Sequence, residues 1–288
     1  MMGGLMAVAV LSCPVSCSVK EDRTECPVYV TVLTDQFLQR GLDEGVVSFA
    51  AERPLHREQI LFLRYVRQGY EQACPRDFAR VSVLSGLDQG ELGGQALTFP
   101  PGRQADLVWA YASSFSAWAD TYVVDAEPHK QYCLIRFLFD GSPTAPADYP
   151  WHFRLLADCS GLDLYTLQAI PGTYSSVVEP NAVGEWYGVL PRQQGNTMKL
   201  EVFLPDARDP AGGSTEYVID LGAAFEKQGY DWHTEDLRDI EIQVGFAQVG
   251  VTLTVREWEH DNQYHGRRGH RTRSPPRRPP RRRARARR

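Results

Sequence analysis

With 288 residues, 43% hydrophobic and 11% aromatic, the chain can bury real cores, and its size suggests two domains rather than one. The net charge of −5 hides an asymmetry: residues 267–288 hold twelve arginines and no acid, leaving nineteen basic against 36 acidic residues elsewhere, a net −17. An acidic body excludes wide nucleic-acid contact, because phosphate binding needs a positive surface; no run approaches the ~20 apolar residues of a spanning helix.

The chain opens on a short apolar run, Leu5 to Leu11, followed by small residues, a cysteine and then charge (Lys20-Glu21-Asp22-Arg23). That order is the pattern of a secretory signal, and a cysteine at the cut points to a lipid anchor. Two cysteines compete. Cys13 follows Val10-Leu11-Ser12, with a branched apolar residue three before the cut, whereas Cys17 has Pro14 there. Cys26, Cys74, Cys133 and Cys159 then leave room for two disulfides or for unpaired buried thiols.

Alternation dominates the rest of the chain. Val28, Val30 and Val32 alternate with Tyr29, Thr31 and Leu33, the period of a half-buried strand. Short β-rich runs lie at Val46–Phe49 and Val81–Leu84. Residues 55–70 fit helix and strand equally by period and are taken as strand from their neighbours. Asp106–Tyr111 is a further strand, and Tyr132–Phe139 a stronger one, with Cys133, Ile135, Phe137 and Phe139 on one face. Three prolines between Gly141 and Pro150 then mark a boundary. Each side runs to roughly 110 residues, close to the size of one β-sandwich.

The second half repeats the theme. Met198, Leu200, Val202 and Leu204 share one face; so do Ile240, Ile242, Val244 and Phe246, and last Val249, Val251, Leu253 and Val255. One polar and one apolar face per strand is the antiparallel signature. Leu221–Gln228 reads as a short helix ended by Gly229. The Arg/Pro-rich tail is low-complexity and reads as a disordered extension.

No catalytic constellation stands out. Gly90-Glu-Leu-Gly93-Gly94 lacks the lysine of a phosphate loop, and neither a nucleophile elbow nor a His-Glu-x-x-His pair occurs. The histidines are scattered, and the acid pair Asp236/Asp239 reads as a solvated face in an acidic body. The expectation is therefore no catalytic residue, no metal, no cofactor and no enzyme activity. Six tryptophans could stack on sugars, which leaves a glycan-binding surface lipoprotein as the alternative function.

Several segments in order carry a resemblance. They are Cys17-Ser-Val-Lys-Glu-Asp-Arg-Thr-Glu-Cys26-Pro27, Pro128-His-Lys-Gln-Tyr132, Leu190-Pro-Arg-Gln193, Ile219-Asp-Leu-Gly222, Gly229-Tyr-Asp-Trp232, Asp236-Leu-Arg-Asp-Ile240 and Val255-Arg-Glu-Trp258. Together they resemble the fimbrial anchor lipoproteins of type V pili. The resemblance implies an all-β chain with two tandem transthyretin-like β-sandwiches after a lipoprotein signal peptide. The division would be signal peptide 1–16, lipidated segment 17–27, N-terminal sandwich 28–140, linker 141–150, C-terminal sandwich 151–262 and tail 263–288. It implies lipidation at Cys17, with Cys13 the fallback, an outer-membrane surface location at the fimbrium base, fimbrial subunits as partners and a part in limiting fimbrial length. Strand exchange would run through Val28, Val30 and Val32 or through Val251, Leu253 and Val255.

Overall fold

The structure, a computed structural model, describes Arg23 and residues 25–52, 55–66, 68–139, 151–206, 209–247 and 250–258. Both lipidation candidates, residues 141–150 and the basic tail lie outside the described residues.

The described residues are all-β apart from two short α-helices and a 3-10 turn. Its first part runs β1 (Val28–Leu33), α1 (Asp35–Gln39), β2 (Glu44–Ala51), β3 (Leu55–Phe62), a 3-10 turn, β4 (Tyr70–Cys74) and β5 (Phe78–Ser85). There follow β6 (Glu91–Gly93), β7 (Ala96–Thr98), β8 (Trp109–Ser116), β9 (Thr121–Asp125), β10 (His129–Lys130) and β11 (Tyr132–Phe139). The second part holds β12 (His152–Asp163), β13 (Ala169–Pro180), β14 (Trp186–Pro191), β15 (Lys199–Asp206) and β16 (Asp209–Asp220). It closes with α2 (Leu221–Lys227), β17 (Asp239–Ala247) and β18 (Gly250–Trp258).

Two sheets build the first half. One is β4-β1-β9, with β1 antiparallel to β4 and parallel to β9; the other is β10-β8-β5-β2-β3. They pack face to face, since Phe49 on β2 meets Tyr70 on β4 (6.0 Å between ring centres) and Phe115 on β8 stacks on Tyr122 (5.0 Å). The apolar face of β1 drives this: Val28, Val30 and Val32 are wholly buried. At about 25 cal/mol per Å² removed from water, burial of each such side chain contributes roughly 1.5–3 kcal/mol.

The second half is one long path, β16-β15-β12-β13-β14-β11-β17-β18, folded on itself where the end of β13 passes to β14. Phe139 and Phe153 stack 4.7 Å apart across the fold, which shows β11 facing β12. Here the expected boundary needs correction. Tyr132–Phe139, read as the end of the first sandwich, instead lies between β14 and β17. Its apolar face fits either core by period; only its partners decide. The crossing between halves therefore lies before Tyr132, not at the proline-rich stretch. The β6–β7 hairpin also crosses, with β7 pairing with β12. Asp106, read as part of a strand, sits ahead of β8, and its carboxylate accepts the backbone N–H groups of Asp88, Gln89 and Gly90 at 2.8–3.0 Å.

Helix α2 forms as its sequence suggests. Asp220 caps it by accepting from the Ala223 N–H at 3.1 Å, and Gly229, at φ +62°, ends it in the left-handed conformation. Gly222 is fixed by space: a Cβ there would lie 2.1 Å from the Asn196 carbonyl oxygen.

Candidate functional site

The two strands singled out for exchange have opposite placements. β1 is flanked on both edges, so its backbone groups are already committed and its valines are core. β18 ends the long sheet, and among the described residues β17 is its one ladder partner. The ladder runs unbroken from Asp239 opposite Trp258 to Ala247 opposite Gly250, with Val251, Leu253 and Val255 opposite Phe246, Val244 and Ile242. Helix α2 lies against part of it. The other end of the path, β16, is longer but carries two register shifts against β15. Such irregularities blunt an edge against pairing. An unbroken edge strand presents a row of N–H and C=O groups that an extended segment can pair with.

Four of the segments that carry the family resemblance, those holding Lys130, Arg192, Trp232 and Asp239, converge elsewhere, on the seam between the halves. Gln131 donates its backbone N–H to Val108 of the first half (2.9 Å), and its carbonyl accepts the Arg192 N–H of the second (3.0 Å). Its side-chain oxygen accepts from Arg192 Nε at 2.8 Å. The Arg192 guanidinium, buried, donates further to the carbonyls of Trp232, Thr234 (2.8 Å) and Glu235 (3.0 Å). Burial pushes its pKa down, though a guanidinium keeps its charge. Trp232 Nε1 in turn donates to Asn196 Oδ1 at 2.8 Å, and its ring stacks on Phe225 of α2.

Next to this lies a buried ion pair. Lys130 Nζ meets Asp239 Oδ1, which also accepts the Leu134 N–H at 2.8 Å. Asp236 Oδ1 accepts the Lys130 N–H at 2.6 Å, and Leu237 returns its N–H to the Lys130 carbonyl. The solvated face expected for Asp239 is thus corrected: both charges are buried and paired. Breaking such a pair leaves an uncompensated charge in the interior. Sequence reading finds these residues as motifs but not their role, because a charge–charge contact over a hundred positions has no local signature. A cleft of about 720 Å³ opens beside the seam, lined by Tyr111, His129, Gln168, Arg192, Gln194 and Glu235 among others.

Among the described residues no group of three or more His, Cys, Asp or Glu side chains is placed to hold a metal. Cys26, Cys74, Cys133 and Cys159 are all free thiols, the last three buried. Burial pushes the Cys74 thiol up to about 11 and Cys133 to about 12, so neither is a nucleophile at neutral pH. Most of the described tryptophans are not available to line a sugar-binding groove. Trp109 and Trp232 are buried, Trp151 and Trp186 pack partly buried on the core, and among described side chains Trp118 alone is largely exposed.

No family model matches the sequence, and no curated protein does. Solved structures do. The fimbrial anchor protein Mfa2 from Porphyromonas gingivalis aligns with 81% of this chain and 98% of its own, at TM-score 0.54 and 11% identity. The fold is one that this anchor protein shares. A protein from Bacteroides thetaiotaomicron described as a candidate polysaccharide-binding protein aligns over 83% of this chain and all of its own, at TM-score 0.53 and 12% identity. A candidate adhesin from Bacteroides ovatus aligns over 81% and 94%, at TM-score 0.53 and 7% identity. The fold is shared although identity is low.

Proposed function

We propose that this chain is a lipidated surface protein that holds a fimbrium on the outer membrane. The observation that carries the reading is the fold shared with a fimbrial anchor over 81% of this chain and 98% of the anchor. The chain's polarity agrees. The N-terminal segment enters β1 at one end of the first half, and β9, running parallel to β1, leaves at the other end toward the seam. A lipid on Cys17, or on Cys13 if processing selects it, would hold the first half near the membrane. The second half, with its β18 edge, would then stand away from it. Fimbrial subunits would add a strand there, at Val251, Leu253 and Val255, rather than at the buried β1. Capping the fibre in this way would also limit its length. The chain is best described as two β-sandwich units joined by a hydrogen-bonded seam instead of a loose linker.

The test is release. Cys17→Ala should move the protein and its fimbriae from the membrane fraction into the medium. Release by Cys13→Ala instead would shift the anchor to that residue, and retention of both variants would end the lipid-anchor reading.

A further inference from the structure

We propose that the end of the first half from which the N-terminal segment leaves rests directly on the lipid surface, with Trp118 and Phe78 in the headgroup layer. The inference rests on the anchor reading above.

Arg23, where the described chain begins, lies six residues after Cys17. Six residues span at most roughly 20 Å even fully extended. Arg23 is itself tied to the fold: its guanidinium meets Asp120 Oδ2 at 2.9 Å. The buried Arg76 takes the other oxygen of Asp120 and also the Trp118 carbonyl. The Tyr29 N–H donates to the Asp120 carbonyl at 3.0 Å, which fixes the start of β1 to the same loop. A lipid at Cys17 therefore brings this loop, and not the seam, to the bilayer.

What the loop presents suits that place. Trp118 is 62% exposed and Phe78 is 37% exposed, although large aromatics gain by leaving water. Both come from the same end of the five-stranded sheet. Phe78 pairs with Ser116, and the Ala117 N–H is held by the Asp77 carbonyl at 2.8 Å. Arg80 lies between rings of the two halves, 5.8 Å from the centre of Phe78 and 6.0 Å from that of the buried Tyr165, and braces Phe78 against the second half. An indole with an apolar body and a polar N–H matches the boundary between acyl chains and headgroups. The lipid holds the protein; this contact fixes which end of the first half faces the membrane.

The test uses the full-length lipoprotein, purified from membranes and reconstituted into phosphatidylcholine vesicles with or without bromine on the upper acyl chains. Bromine quenches only tryptophans at the membrane. The fluorescence that Trp118 contributes, taken as wild type minus Trp118→Phe, should fall about twofold in brominated vesicles. The remainder should not change. If both proteins float with the vesicles and the Trp118 contribution is unquenched, this end stands clear of the lipid and the inference fails while the anchor reading survives. If neither floats, the anchor reading fails and takes the inference with it.

Discussion

Strands β1 and β18 look alike in sequence, each an alternating run of branched apolar residues, yet the fold treats them oppositely. β1 lies between β4 and β9 with Val28, Val30 and Val32 wholly buried, while β18 ends its sheet with one ladder partner among the described residues. Alternation reports that one face is buried; it is silent on how many neighbours a strand has. For a protein that recruits a partner by β-addition, the second property decides function.

The sharpest way to break this comparison is to charge the buried strand. Val30→Asp should cost about 4–5 kcal/mol, because an unpaired carboxylate has no partner among these valines. Chemical denaturation would read it as loss of most or all of the folded population. A Val30→Asp protein that stays folded but sheds fimbriae would make β1 the exchanged strand after all.

Cutting the seam comes next. Lys130→Met leaves Asp239 buried without its cation and should cost about 3–4 kcal/mol. Its calorimetric transition should remain single if the halves unfold together. Two separated transitions would mean that β1 and β18 belong to independent units.

A smaller change should act near β18 alone. Gly222→Ala drives a methyl toward the Asn196 carbonyl, which is backbone and cannot swing aside, so about 2 kcal/mol of strain is expected. Hydrogen exchange should quicken in α2 and β15–β18 before β1, and uniform quickening would count against that localisation.

The smallest effect belongs to the end beside β1. Hydrogen bonding to Arg76, helped by Arg23, holds the Asp120 carboxyl below its ordinary 3.8. A depressed pKa contributes stability that is complete above the unfolded value and lost as pH falls through the folded one. Wild type should therefore melt above Asp120→Asn at pH 5, and the two should converge below pH 3.8. A gap that persists in acid would assign the difference to something other than this ionisation.

Much of the chain is legible from its sequence. The strands at 28–33, 199–206, 239–247 and 250–258 announce themselves by period, and α2 by its Gly229 stop. What escapes is pairing. The prolines after Gly141 look like a domain linker, but the chain has already crossed at Gln131, where a single residue hydrogen-bonds to Val108 on one side and Arg192 on the other. The three-residue strands β6 and β7 are too short to show a period at all. The motifs that resemble fimbrial anchors are visible as letters, yet Lys130, Arg192 and Asp239 prove to be the seam's polar filling.

The central claim, that fimbrial subunits dock on the edge of β18, is tested most directly by photocrosslinking in fimbriated cells. A photoreactive side chain would be placed in turn at each position from Val251 to Val255 and, as the comparison, at the half-exposed Tyr29 of β1. Covalent adducts with a fimbrial subunit are expected from β18 positions and none from Tyr29. Adducts from Tyr29, or none from any β18 position while fimbriae stay attached, would contradict the claim.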